Sequence, residues 1–414
     1  MIVVGGTYSE SVVVPSYSNS QGGSGLRAAL AVGDDCERLI TALADREQID
    51  APLVREGAVV IRREDPVSFH YLSPISTPTI VGRGTALDSP ITADADGALV
   101  VGMVEKAEYA IRAKRLVIDP QSPGGVGLKA FQGLSGDATV LSVNAREAAS
   151  LLDSPKDPSA NASSLVEQLG YAAVVVRAGA RGSFVATRTT VTPIAAHPTQ
   201  TVWPLGSGDT YSAVFANAWS TGHDVVEAAE IASNATAWWC GQRDPVVPRP
   251  ILTGETTYEQ FLNQEGASLI LPIYSPRVYL GGPFFTVAEH MLLDVVLHTL
   301  TGLGAKAFSP FHHVGAGGDE VAQKDIDGLA ECDAMLALLD HYDPGTVYEA
   351  GWAAARGIPV VGYRSRQSDE GDKMLVGLGA EVHSDLTSAL YRVVWAAQGA
   401  PTLAGRHEMT APSA

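Results

Sequence analysis

The chain is short of basic residues, of cysteine and of long apolar runs, and each shortage excludes something. Its 414 residues carry 28 Lys and Arg against 46 Asp and Glu, a formal net charge of −18. That balance argues against nucleic-acid binding through a basic surface, yet a small anionic substrate needs only a local pocket. Three widely spaced cysteines, Cys36, Cys240 and Cys332, form no metal or disulfide pattern. They fit a reducing cytoplasm, and each reads as a small buried hydrophobe. No apolar run reaches the roughly 18 residues a membrane helix needs, so no membrane partner is expected. The opening Met1-Ile2-Val3-Val4-Gly5-Gly6 lacks a basic leader and goes directly into a strand. With 46% hydrophobic residues and a mean hydropathy of +0.09, the composition is that of a soluble globular protein. The length allows two or three domains.

What is present is an alternation of short apolar runs and helical patterns, the signature of α/β folds with parallel sheets. Such sheets hold ligands at the carboxyl ends of their strands. From Lys324 to Tyr363 a helical run ends at Cys332, and Ala334-Met335-Leu336-Ala337-Leu338-Leu339 reads as a buried strand. An acidic loop, Asp340 to Gly345, leads to a helix carrying Glu349, then to the strand Pro359-Val360-Val361-Gly362-Tyr363. Asp343 reads equally as the N-cap of that helix. Glu349, inside the helix among small and apolar neighbours, is not explained that way.

This half resembles the nucleoside 2-deoxyribosyltransferase family over roughly residues 276–395. Val278-Tyr279-Leu280-Gly281-Gly282-Pro283-Phe284-Phe285 looks like its opening strand and Gly-rich turn, and Ser309-Pro310-Phe311-His312 like its second strand end. The resemblance implies a flavodoxin-like parallel sheet with no cofactor for the glycosidic chemistry. It makes Glu349 the nucleophile and Asp325 the acid that protonates the leaving base. Tyr279 would position Glu349, and Asp343 would bind a sugar hydroxyl. Gly281, Gly282, Pro283 and His312 would line the substrate site. It also implies a homo-oligomer, although Lys373-Met374-Leu375-Val376-Gly377-Leu378 lacks the polar residue expected to complete a neighbour's site. On the residues alone, Tyr279 reads equally as core and Asp325 with Asp327 as a solvated helix face. His312 and His313, read as neighbours on a strand, would point to opposite faces, so no metal site is expected.

In the first half, Ile2-Val3-Val4, Arg115 to Asp119 and Ala173 to Val176 read as strands, the last two apolar enough to be central. Ala58 to Ile61 and Val67 to Tyr71 read as strands of a small flap. Leu205-Gly206-Ser207-Gly208-Asp209-Thr210 opens a helical run to Trp219. Backbone N–H groups at a helix start hold anions, and an adjoining carboxylate can take a hydroxyl proton.

Residues 1–245 or so resemble the PfkB, ribokinase-like, sugar and nucleoside kinases, with a three-layer α/β/α fold. Gly206-Ser207-Gly208-Asp209 matches their anion hole and catalytic base. Asn144-Ala145-Arg146-Glu147 matches their Asn-x-x-Glu motif, which organises Mg²⁺ and phosphate. Gly179-Ala180-Arg181-Gly182 looks like their nucleotide loop, and Asn234 like the late helix residue beside adenine. Gly22 and Gly23 resemble the sugar-contacting pair, and Glu10 stands where an Asp usually grips sugar hydroxyls. Arg27 replaces the sugar-binding Asn, and the domain is short enough to suggest a reduced lid. The implied cosubstrates are ATP with Mg²⁺.

The expected layout is a kinase domain over 1–250 that ends in the proline-rich break Asp244 to Pro250, a linker over 251–275 with a short helix at Thr257 to Asn263, a deoxyribosyltransferase-like domain over 276–395 and a fraying tail over 396–414. The expected function is a cytoplasmic bifunctional enzyme that cleaves or transfers at a nucleoside N-glycosidic bond and phosphorylates a sugar or nucleoside. The alternatives are a nucleoside 5′-monophosphate N-glycosidase with a degenerate kinase-like domain, and a nucleotide-sensing module.

Overall fold

The computed structural model describes residues 1–82, 84–121, 127–262, 271–315, 317–366 and 369–407. The chain divides into two compact units. The first comprises Met1–Ala178, Gly182–His197 and Pro204–Ser268; the second comprises Gly179–Arg181, Pro198–Trp203 and Leu269–Ala414.

Thirteen strands of the first unit fall in chain order: β1 Ile2–Val4, β2 Tyr8–Val12, β3 Ser18–Gly22, β4 Arg38–Ala44, β5 Val59–Arg63, β6 Ser68–Tyr71, β7 Thr79–Val81, β8 Ile91–Val101, β9 Tyr109–Asp119, β10 Leu134–Asn144, β11 Ala173–Arg177, β12 Ser183–Ala186 and β13 Val191–Ile194. Nine make one sheet in the order β13-β12-β11-β10-β9-β8-β1-β4-β5. Its body is parallel, and only β12 runs against the rest, pairing antiparallel with β11 and with β13. Val3, Val100, Val117, Val140 and Val175 in its central strands are fully buried, as strands covered by helices on both faces must be. The parallel register brings Val101 beside Asp119 and Asn144 beside Arg177, so polar side chains gather at the carboxyl ends.

A second sheet of four strands, β3-β2-β6-β7, has Tyr8, Val67 and Phe69 as its own small core and carries Glu10 on β2. Ala58 to Ile61 does not join it. Val59–Arg63 pairs in parallel with β4 as the edge of the main sheet. A short apolar run marks a strand, but its sheet is decided by a non-local pairing that the run does not encode.

The second unit adds β14 Arg277–Gly281, β15 Lys306–Phe308, β16 Ala334–Leu338, β17 Val360–Tyr363, β18 Glu381–His383 and β19 Gly405–His407. They form one sheet, β15-β14-β16-β17-β18-β19, with every pairing parallel. β16 is buried at every position, and Leu339 after it is also fully buried.

Three expectations differ from what is observed. The start of the expected linker is structured, since Arg249–Leu252 is helical and Ile251 and Leu252 join the first unit's core, while Tyr258–Phe261 forms the short helix expected there. Prolines at 248 and 250 start a helix turn here, because Pro at a first helical position costs no hydrogen bond. Within the expected tail, Gly405–His407 pairs with β18, while 408–414 lie outside the described residues. His312 and His313 sit in the helical turn Pro310–His313 rather than on a strand, again led by a proline.

Candidate active sites

In the second unit three elements converge beyond the strand ends. β14 supplies Tyr279, the helix Asp319–Ala330 supplies Asp325, and the helix Pro344–Ala355 supplies Glu349. Tyr279 is fully buried, stacks on Phe308 at 5.7 Å, and donates its hydroxyl to Glu349 Oε1 at 2.7 Å. Burial pushes the Glu349 carboxyl up to about 7; the Tyr279 hydrogen bond opposes this, and Asp325 and Asp343 add to it. Burial also raises Asp325, whose Oδ1 is buried without a hydrogen-bond partner. Burial thus raises both carboxyls, and what separates them is that Glu349 accepts the Tyr279 hydroxyl while Asp325 Oδ1 is buried without a partner.

Gly281 is required by this arrangement. A Cβ there would meet Met335 Cε at 2.6 Å and Glu349 Oε2 at 2.9 Å. Gly282 and Pro283 follow in the turn, with Pro283 buried. Asp343 is the N-cap of the Glu349 helix. Its Oδ2 accepts from Thr346 N at 2.9 Å and Thr346 Oγ1 at 3.0 Å. Both sequence readings of Asp343 remain compatible with this, because Oδ1 lies outside the cap. His312 is exposed, 3.2 Å from Ser309 Oγ through Nδ1.

In the first unit the helix Ser207–Thr221 begins at Gly206, whose φ of 85° is in the left-handed region. Asp209 lies in its first turn and is 3% exposed. Arg27 donates from Nε to Asp209 Oδ2 at 2.7 Å and from Nη1 to Glu10, whose other oxygen accepts from Gly23 N at 3.0 Å. Gly22 leaves no room for a Cβ, which would meet Glu10 Oε2 at 2.3 Å. Gln121 donates to Asp209 Oδ1. The expected acceptor residues Glu10, Gly22, Gly23, Arg27 and Asp209 are thus brought together.

The Asn144–Glu147 motif forms a capping box. Glu147 N donates to Asn144 Oδ1 at 2.9 Å and Asn144 N to Glu147 Oε2 at 2.8 Å. Glu147 is raised by burial and then by Asp119. Asn234 is committed elsewhere. Its amide donates to Thr256 O at 3.1 Å and accepts from Tyr258 N at 2.7 Å, so it pins the stretch after the first unit's last long helix. Gly179 and Gly182 flank one helical turn with φ of 58° and 81°, and Gly179–Arg181 group with the second unit.

Sequence reasoning missed Asp119, Gln121 and Arg177. Arg177 grips Asp119 at 2.7 and 3.2 Å, donates to Gly208 O at 2.7 Å and to Ser212 at 2.7 Å. Asp119 and Arg177 end β9 and β11, so the strand-end rule was the available signal. Among the described residues no group of three or more His, Cys, Asp or Glu is placed to hold a metal ion. No helix among them is long and apolar enough to cross a membrane.

The two units therefore define an α/β protein with a cluster of ionisable side chains near the strand ends of each main sheet. The chain carries a pfkB family carbohydrate kinase domain, matched over residues 93–252, and a nucleoside 2-deoxyribosyltransferase domain, matched over 278–385. Solved structures resembling it include aminoimidazole riboside kinase from Salmonella enterica in complex with aminoimidazole riboside and an ATP analog (15% identity, 64% of this chain and 99% of that one, TM-score 0.45). Another is Burkholderia thailandensis nucleoside kinase in complex with inosine (17%, 63% and 97%, TM-score 0.43). Thermotoga maritima ribokinase is a third (16%, 64% and 98%, TM-score 0.43). No curated protein matches the sequence significantly.

Proposed function

We propose that the second unit cleaves the N-glycosidic bond of a nucleoside through Glu349. The observation that carries this is the Tyr279 Oη–Glu349 Oε1 hydrogen bond at 2.7 Å beside the unpartnered Asp325 Oδ1. The Glu349 carboxylate forms a bond to C1′ as the C1′–N bond breaks, and the departing base takes the Asp325 proton. Water or a second base then releases the sugar from Glu349. Asp343 favours a free 5′-hydroxyl, because a carboxylate opposing a phosphate about 4 Å away costs roughly 4 kcal/mol at an effective dielectric near 20.

The first unit, in the same reading, transfers a phosphoryl group from ATP to a small hydroxyl acceptor. The Gly206-Ser207-Gly208 turn offers backbone N–H groups to the phosphates. Glu147 Oε1, outside the capping box, suits the neighbourhood of a Mg²⁺ that arrives with ATP and screens its charge. Asp209 takes the acceptor's hydroxyl proton. A second reading, a degenerate kinase-like unit, is favoured by one observation: both Asp209 oxygens already accept protein donors. A cytoplasmic homo-oligomer acting on small molecules, with no nucleic-acid partner, completes the proposal.

The test is incubation with a nucleoside and nucleotide panel, with and without ATP and Mg²⁺, read by mass spectrometry. Wild type is expected to release free base, and Glu349→Ala to release none while keeping ATP chemistry. Full cleavage by Glu349→Ala would remove the nucleophile assignment.

A further inference from the structure

We infer that His341 is a sugar contact of the second unit: its imidazole, presented by a latched left-handed turn, shares a hydrogen bond with a hydroxyl of the bound nucleoside. The inference rests on the glycosidic reading above and adds a residue to the sugar side of that site.

After the buried Leu338 and Leu339 the chain makes one turn before the helix that carries Glu349. His341 has a φ of 69° and Tyr342 a φ of 47°, a left-handed pair of which neither is glycine. A β-carbon disfavours that region, and such residues persist there only where their surroundings hold them. Here each neighbour of His341 is tied. Asp340 Oδ1 accepts from Ser365 N at 2.8 Å and from Ser365 Oγ at 3.0 Å, just past β17. Tyr342 N donates to Leu339 O at 3.1 Å, and its hydroxyl donates to Asp372 Oδ1 at 2.6 Å. Asp372 is fully buried, and its other oxygen accepts from Arg364 Nε at 2.7 Å. The Tyr342 ring lies on the helix Asp369–Gly377 at Gly371, where a Cβ would come within 2.4 Å of it. Asp343 is fastened to Thr346. Between these anchors His341 stays exposed.

The imidazole stands at the rim of the proposed glycosidic site. Segments 281–289 and 341–349 meet at both ends. Gly281 lies against Glu349, and His341 acts on the Glu289 carboxyl, which Phe285 N and then Thr286 N hold below its usual range. His341 thus has Asp343 two residues on along its own segment and Glu289 facing it from the other. Imidazole can donate and accept, which suits a hydroxyl, and the two neighbouring carboxyls disfavour an anion in the same place. The chemistry that fits is the hydroxyl edge of a neutral sugar. Tyr342 is then a positioning residue, since its latch to Asp372 keeps the strained turn that aims the ring.

The experiment measures kcat/KM for base release, and separately calorimetric binding, with adenosine, cytidine and the 2′-, 3′- and 5′-deoxy analogues of each. It uses the full chain, His341→Gly and Tyr342→Phe. Glycine adopts the left-handed region freely, so His341→Gly removes the imidazole without straining the turn. Tyr342→Phe keeps the ring and removes only the hydroxyl. Thermal melts confirm folding, and if Tyr342→Phe does not fold, His341→Gly carries the test alone. In wild type at least one deoxy analogue is expected to be about fivefold or more worse than its parent, the size of one neutral hydrogen bond. Both variants should lose most of that penalty for one and the same hydroxyl and keep the ranking of the other analogues. An equal loss on every compound assigns the turn to the fold alone and overturns the contact, as does a ranking untouched in His341→Gly. The expected pattern in binding without free base supports the contact and removes the glycosidic reading. Neither binding nor base release with any of the compounds overturns both.

Discussion

In the proposed reaction Glu349 must be ionised to attack C1′, yet its surroundings push its carboxyl up to about 7, largely through burial. The cost of ionising it falls on the fold. Because the folded value lies above the ordinary 4.5, the protonated side chain stabilises the folded state fully below pH 4.5, and this is lost as pH rises through 7. Glu349→Gln mimics the protonated form and retains an acceptor for Tyr279. Its stability should match wild type at pH 5 and exceed it by about 2–3 kcal/mol at pH 8, since each tenfold change in an ionisation equilibrium is worth ~1.4 kcal/mol. Thermal melts at the two pH values check this, and a gap that does not widen with pH would refute the buried-carboxylate account. Cleavage by wild type should rise through pH 7 as the nucleophile ionises.

In the helix carrying Glu349 one residue serves the element and, in the proposed reading, the site as well. Asp343 caps Pro344–Ala355 through Thr346, a contact worth about 0.5–2 kcal/mol. Ser also caps well, so Asp343→Ser should leave stability nearly unchanged while raising kcat/KM for a nucleoside 5′-monophosphate relative to the nucleoside more than tenfold. Asp343→Ala should lose stability as well. If wild type already prefers the monophosphate, the nucleoside reading fails.

The same elements show what was legible beforehand. The strands around 334–338 and 173–176 and the helix from Ser207 were readable because their apolar runs and glycine turns act locally. The place of Val59–Arg63 at the edge of the main sheet, the pairing of Gly405–His407 with β18 and the Arg27 bridge were not, since each depends on a partner distant in sequence. Asn144 and Glu147 were legible as a pair, but their mutual capping box needed the backbone to be seen.

At the scale of the whole molecule, an acidic chain is held together in places by a few buried cations. In the second unit Glu381 is fully buried. It accepts from His383 at 2.6 Å, from Arg392 at 2.6 and 3.0 Å, and from Leu403 N at 2.9 Å. These contacts tie β18 to the helix Leu386–Ala397 and to the residues that lead into β19. Burial alone would raise Glu381, but the His383 and Arg392 hydrogen bonds bring it down to about 2. Its stabilisation is therefore complete above pH 4.5 and lost as pH falls toward 2, opposite in sense to Glu349. Glu381→Gln should destabilise by roughly 3–5 kcal/mol near neutrality, since it strands a buried arginine. The gap from wild type should narrow in acid. Urea melts at pH 7 and pH 3 measure it, and a constant gap would count against the ion pair.

Gly281 carries a consequence for how such a sequence is free to drift. The space a methyl group would take at 281 is crowded from two sides, by Met335 Cε at 2.6 Å and by Glu349 Oε2 at 2.9 Å, the latter 68 positions later in the chain. A change of Glu349 to the shorter Asp would ease only the second of these contacts. Room for Ala at 281 therefore has to be made at 335 and at 349 together.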